Sequence, residues 1–242
     1  MSLEGKTILI TGAAVRVGRA MALAVAEAGA NVIVHYGRSD KEAKKVKAEI
    51  EALGVRAHLL QADLSQAEDS QRLIHEAAKL GPLFGLVNSA SIFQNLSLED
   101  STAENWDLHM AINLRAPFLL SQAFAGALKD KDTEGRIVNI LDWRALRPGD
   151  DHLPYTISKA GLVALTQSLA IAMAPRITVN GMAFGAILPP SDGGDTSDIL
   201  KDVPAQRWAE LDEVGKTLIF LLDGPSYITG EVIHLDGGRH LI

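Results

Sequence analysis

Residues 6–20 read KTILITGAAVRVGRA. A short β-branched run, KTILIT (6–11), ends abruptly at Gly12, and a stretch rich in Ala and Leu follows from Val17 to Ala28 and closes at Gly29. The pattern predicts a buried strand, a tight turn and a helix. Gly12 allows the chain to leave the strand sharply. Gly18 allows helix and backbone to approach a pyrophosphate at the helix N-terminus. Arg16 stands where a middle glycine could be, so the spacing departs from the plain dinucleotide-binding fingerprint. By itself such a turn can also be an ordinary strand-to-helix connection.

The same alternation continues along the chain. Strands are predicted at NVIVHY (31–36), VRAHLL (55–60), FGLVNSA (84–90), RIVNIL (136–141), RITVNGM (176–182) and EVIHL (231–235). Helices are predicted at about 40–53, 66–79, 102–129 (kinked by Pro117), 154–173 and 210–222. Continuous apolar strands alternating with helices imply a parallel sheet covered on both faces. No linker, repeat or composition break interrupts the pattern. The reading is one α/β domain over 1–242, a doubly wound, Rossmann-like sheet of about seven strands. A Pro-, Gly- and Asp-rich stretch at 189–204 stands apart as a loop. In such sheets ligands bind at the carboxyl ends of the strands, where the strand order reverses.

Composition narrows the function. The 242 residues are 47% hydrophobic and 22% charged, as expected of a globular protein with a large core. With 30 acidic and 23 basic residues the net charge is −7, which argues against a nucleic-acid surface. The absence of cysteine excludes disulfides, thiolate metal ligands and a cysteine nucleophile, and no metal site is expected. The N-terminus lacks a signal-peptide layout, and no apolar run reaches the ~18 residues of a spanning helix. A cytoplasmic protein with no membrane partner is the expectation.

Strand two ends in HYGRS (35–39). An NAD-dependent site usually places an acid here for the adenosine ribose. Arg38 and Ser39, with His35 as a further candidate, could instead bind a 2′-phosphate, which an acid would repel. The cofactor is therefore expected to be NADPH, although Arg38 would also suit a solvated loop. Asp63, after strand three, is placed to bind an adenine amino group or to serve as a turn residue.

Tyr155 and Lys159 lie four apart on the helix that follows strand five, so they share one face. A free phenol titrates near 10 and is a poor acid–base group at neutral pH. A lysine cation ~4 Å away, at an effective dielectric of ~20, contributes about 4 kcal/mol and would bring the phenol toward neutrality. General acid–base catalysis works best there.

With these residues assembled, the whole chain resembles the short-chain dehydrogenase/reductases. The resemblance rests on TGAAVRVG, ADLS, LVNSAS, INLRAPF, RIVNI, YTISK, VNGMAFG and YITGEVIHLDGG. It implies that Tyr155 is the proton donor or acceptor, that Lys159 lowers its pKa and binds the nicotinamide ribose, and that Asn113 helps hold a relay water. It further implies cofactor contacts at Val17, Tyr36, Leu64, Asn88, Ser89, Ala90, Gly185 and Ile187, a substrate-covering loop at 189–204, and a homotetramer packed through its long helices and last strand.

The position thirteen before the tyrosine, usually a serine in this family, is Asp142. A serine hydroxyl donates to a substrate carbonyl; an ionised carboxylate cannot, and it would repel an oxyanion. It suits a ring nitrogen or amino group, and so C=N reduction in an electron-poor heterocycle. The pteridine reductases are similar here, with an Arg matching Arg16, a basic HY-x-RS, an aromatic matching Phe93, and Asp, Tyr and Lys matching Asp142, Tyr155 and Lys159. The likeness implies that a pterin lies between Phe93 and the nicotinamide, with Ser91 and Arg16 contacting cofactor and substrate. Ser89 in place of the second Asn of NNAS and Phe184 in place of a proline depart from the pattern. The alternatives are a carbonyl reductase or alcohol dehydrogenase of the same family, and a non-catalytic NADP-sensing protein.

Overall fold

In chain order the strands are β1 (Thr7–Ile10), β2 (Asn31–Tyr36), β3 (Ala57–Gln61), β4 (Gly85–Asn88), β5 (Gly135–Asp142), β6 (Ile177–Phe184) and β7 (Val232–Leu235). In the computed structural model, which describes residues 3–128, 133–189, 196 and 198–242, they form one sheet in the order β3-β2-β1-β4-β5-β6-β7. Every neighbouring pair is parallel. The order reverses between β1 and β4, which opens the crevice above their carboxyl ends.

The helices are α1 (Arg16–Glu27), α2 (Asp40–Ala52), α3 (Ala67–Leu80), α4 (Ala103–Met110), α5 (Ala116–Ala127), α6 (Leu153–Met173) and α7 (Leu211–Asp223). Helices α1, α2 and α7 cover one face, and α3, α5 and α6 the other. Strand side chains alternate between the two. Ile8, Ile10, Val32 and Val34 pack with Met21 and Val25 of α1, whereas Leu9 and Ile33 pack with Leu73 of α3 and Phe124 of α5. Both faces need apolar residues, so the strands read as unbroken apolar runs.

The single kinked helix expected at about 102–129 is instead two helices joined by a π-helical turn, Ala111–Arg115. The Ala116 N–H bonds to the Ala111 carbonyl, five residues back. Pro117 has no N–H to return to the Asn113 carbonyl, so the helix widens just before it. Helix α6 is long and apolar enough, by length and composition alone, to cross a membrane. It packs against β5 and β6, and Tyr155 and Lys159 are buried on it. Within 189–204, residues 190–195 and 197 lie outside the described residues.

Candidate active site

The crevice at the strand reversal is a cavity of about 450 Å³. Gly12, Arg16, Val17 and Gly18 form one wall, Tyr36, Arg38 and Ser39 another, and Asp63, Leu64, Ser89 and Ala90 close it. Arg16 has φ +51°, the left-handed region that favours glycine. The backbone keeps the conformation of a glycine-rich loop although the residue is arginine. Its guanidinium donates to the Pro189 carbonyl at 2.8 Å, which ties the cradle to the start of the 189–204 segment. A Cβ on Gly18 would collide with the Gly12 carbonyl, so close packing at the helix start excludes any larger residue.

Thr11, just before that loop, carries a role the sequence reading missed. Its Oγ1 accepts the N–H groups of Ser89 and Ala90 at 2.9 and 3.0 Å and donates to the Val87 carbonyl at 3.3 Å. One hydroxyl thus clamps together the loops that follow β1 and β4. A polar β-branched residue at the end of an apolar strand was the available signal.

His35 lines the cavity, but its ring nitrogens are engaged within the protein. The Gly12 N–H donates to its Nδ1 at 3.1 Å, and its Nε2 lies 3.2 Å from the Ala62 carbonyl. Both nitrogens are engaged, so His35 holds the phosphate loop in place instead. Burial pushes its pKa down from 6.5 to about 4. The unfolded chain takes up a proton near the ordinary value and the native chain does not. The stability from a neutral His35 is therefore complete above about pH 6.5 and is lost, by about 3 kcal/mol, as pH falls through about 4. Urea unfolding between pH 7.5 and 4.5 should show this slope. His35→Gln should flatten it, and an equally steep loss in the variant would assign it to other groups.

Arg38 makes no hydrogen bond or ion pair with a described residue, and Ser39 precedes α2 without spending its side chain on the cap. Both are free to meet an anion. Asp63 gives one carboxylate oxygen to the Ser65 N–H and hydroxyl, at 3.0 and 2.8 Å. Asn88 is not in the cavity wall. Its amide donates to Asn139 Oδ1 at 2.8 Å inside the core, because β4 turns that side chain toward β5 and α5. At the end of β6 the Gly185 N–H bonds to the Leu235 carbonyl at 3.0 Å, and Ile187 is buried.

Beyond the cavity, β5 and α6 bring the acid and the phenol together. The Tyr155 hydroxyl donates to Asp142 Oδ2 at 3.0 Å, while Oδ1 accepts the Arg144 N–H at 2.9 Å. Lys159 donates to the Ile140 carbonyl at 2.7 Å, and its Nζ lies 5.7 Å from the Tyr155 ring centroid. The expected lowering of the phenol pKa by Lys159 does not figure among the influences on Tyr155 in this arrangement. Burial, reinforced by the charge of Asp142, holds Tyr155 well above its ordinary value. Burial pushes Lys159 down to about 8. Tyr155 is therefore a neutral phenol, with its proton shared toward a carboxylate.

Asn113 is fully buried, and its side chain is spent on structure. Its Oδ1 accepts from the Ser91 hydroxyl and the Ile92 N–H at 3.1 and 3.0 Å. Its Nδ2 donates to the Ile92 carbonyl and to Ser158 Oγ, both at 3.0 Å. It pins the loop bearing Phe93 to α6, so any relay water would have to use its backbone carbonyl. Phe93 meets the edge of Tyr155, with ring centroids 4.7 Å apart, and stacks on His152. Arg144, Asp151 and His152, none of them singled out from the sequence, complete this wall. Arg144 bonds Asp151 at 3.0 Å. Their spacing within 143–152 gave no periodic signal, because they lie on an irregular connection between β5 and α6.

A family model described as enoyl-(acyl carrier protein) reductase matches residues 12–240, and curated short-chain reductases match the chain over nearly its whole length. The chain belongs to the short-chain dehydrogenase/reductase family. It is similar to a 3-oxoacyl-[acyl-carrier-protein] reductase of Synechocystis sp., with 34% identity over 98% of each chain. Among solved structures it is similar to the FolM alternative dihydrofolate reductase 1 of Brucella canis complexed with NADP. The identity is 36% and the TM-score 0.91, covering 100% of this chain and 97% of that one. A short-chain dehydrogenase of Burkholderia cenocepacia in complex with NADP gives 35% identity and a TM-score of 0.92, over 99% of each chain. The fold, the strand order and the Tyr–Lys pair of this short-chain reductase accord with that membership.

Proposed function

We propose that this protein is an NADPH-dependent oxidoreductase that reduces a C=N bond in a pteridine or a similar electron-poor heterocycle. The observation that carries the reading is the Asp142 carboxylate accepting the Tyr155 hydroxyl at 3.0 Å. Carbonyl reduction calls for a neutral donor at that position, because negative charge develops on oxygen. A carboxylate favours the opposite charge, a ring nitrogen that gains a proton as the adjacent carbon gains hydride. The similarity to an alternative dihydrofolate reductase points the same way.

The cavity fits the cofactor. The Gly12–Gly18 loop and the N-terminus of α1 would hold the pyrophosphate, Arg38 and Ser39 the 2′-phosphate, and Asp63 the adenine. NADPH supplies the hydride. Tyr155 and Asp142 hold one proton between them, next to Phe93, and give it to the ring nitrogen of a heterocycle lying against that wall. Arg144 keeps Asp142 in place from its other oxygen. Arg38→Ala removes a charge-assisted contact worth ~1.5–3 kcal/mol. It should raise the KM for NADPH about ten- to a hundredfold and leave that for NADH nearly unchanged. Equal use of both cofactors by the unmodified protein would contradict the assignment.

The likeness to 3-oxoacyl reductases favours a second reading, carbonyl reduction with Asp142 accommodated. Side-by-side turnover of a dihydropterin and of simple ketones with NADPH separates the two. Bound NADPH that no substrate oxidises would identify a sensing protein instead. A cytoplasmic homotetramer belongs to the same proposal. Exposed Trp106, Phe118 and Ile157 on α4–α6, and Tyr227, Leu241 and Ile242 near the last strand, are the apolar surfaces its subunits would cover.

A further inference from the structure

His152 immediately precedes α6 with φ 52° and ψ 39°, a left-handed conformation that is uncommon outside glycine, although Asn, Asp and His enter it more readily than other side chains. Its neighbours hold it there. The Thr156 N–H bonds to the His152 carbonyl at 2.8 Å, and the Leu153 N–H to the Leu96 carbonyl at 2.9 Å. The residue is 9% exposed. Its ring lies nearly parallel to Phe93, with centroids 4.2 Å apart and planes 16° apart. Its Nδ1 is 2.9 Å from Asp151 Oδ2, and Arg144 grips that same oxygen at 3.0 Å.

A carboxylate on Nδ1 keeps the ring proton there and leaves Nε2 as a hydrogen-bond acceptor. That nitrogen has no partner among the described residues and is not sealed from solvent. An aromatic wall alone would need neither the strained backbone nor the orienting acid.

We propose that His152 is a specificity-determining residue, whose neutral Nε2 accepts a hydrogen bond from an N–H or amino group of a flat nitrogen heterocycle bound at the edge of the His152–Phe93 stack. The inference deepens the C=N reading and rests on it. Asp142 and His152 then offer two acceptors along one wall, a match for an amino-substituted ring. A simple ketone has no donor to give them. The charged groups acting on His152 are Asp151, Arg144 and Asp142, and burial sets the balance, lowering its pKa below 6.5. At neutral pH Nε2 is therefore an acceptor. On acidification it gains a proton and becomes a donor, which opposes an N–H partner.

The test is fluorescence titration of a 2-aminopteridine, and of the same ring without the amino group, into the protein saturated with NADP⁺. His152→Phe keeps a flat ring on Phe93 but has no acceptor. His152→Asn tolerates the left-handed backbone, and its shorter side chain does not reach the same point. Both variants should weaken 2-aminopteridine binding about tenfold, the loss of one buried hydrogen bond, and should bind the des-amino ring as the parent does. Parent affinity for the 2-aminopteridine should fall below pH 6.5, and His152→Phe should remove that dependence. With dihydropterin as substrate, KM should rise more than kcat falls. If His152→Phe binds the 2-aminopteridine as tightly as the parent, with the same pH profile, the inference is wrong while the C=N reading stands. If the parent binds neither pteridine and turns over only ketones, the C=N reading has failed and this inference fails with it.

Discussion

Tyr155→Phe should lower turnover by roughly 10²–10⁴ while NADPH still binds. The variant removes one hydroxyl and keeps the ring, so the edge contact with Phe93 and the packing of α6 survive. What it deletes is the donor to Asp142 Oδ2, and with it the proton held at the reacting position. Stopped-flow single turnover and NADPH fluorescence separate the two effects: the chemical step should slow, and the binding amplitude should persist. Burial and Asp142 hold the phenol above its ordinary value. The rate should therefore show no inflection near neutral pH attributable to tyrosinate formation. Undiminished turnover in the variant would remove Tyr155 from the proton transfer altogether.

Asp142→Ser should move two activities in opposite directions. Serine can donate to a carbonyl oxygen and carries no charge, so ketone reduction should hold or rise. Dihydropterin reduction should fall by roughly 10²-fold or more, as expected for loss of a positioned acid–base group. Asp142→Asn is the companion, since it keeps the shape and removes the acid; it should lose dihydropterin turnover as well. The substitution also releases Arg144, whose N–H is bound to Asp142 Oδ1, so a thermal melt must accompany the kinetics. If the unmodified protein reduces ketones well, leaves dihydropterins untouched, and loses ketone turnover as the serine variant, Asp142 serves carbonyl chemistry.

Much of the architecture was legible along the chain because it is local. Unbroken apolar runs mark strands buried on both faces, and Ile8, Leu9 and Ile10 pack on opposite faces as such a strand requires. Helix α6 spans Leu153–Met173, within a residue of its expected limits, since its start and its apolar content are set by neighbouring residues. The π-helical turn was not legible. Pro117 announces a disturbance, but where a helix absorbs it depends on what α6 and the 89–93 loop demand of Asn113.

The sequence by itself determined the strand–helix alternation, the glycine cradle, the Tyr155–Lys159 spacing and the carboxylate at Asp142, all properties of residue type and short-range spacing. Only the tertiary structure decided which groups those side chains meet. Lys159 turns to the Ile140 carbonyl, His35 spends both nitrogens inside the protein, and Tyr155 gives its proton toward Asp142. The reason is physical: a pKa or a hydrogen-bond partner depends on burial and on charges a few ångströms away, and these are brought in by segments distant in the chain. The same holds for His152. Its place on Phe93 joins residues 59 positions apart, and no spacing rule along the sequence reports it.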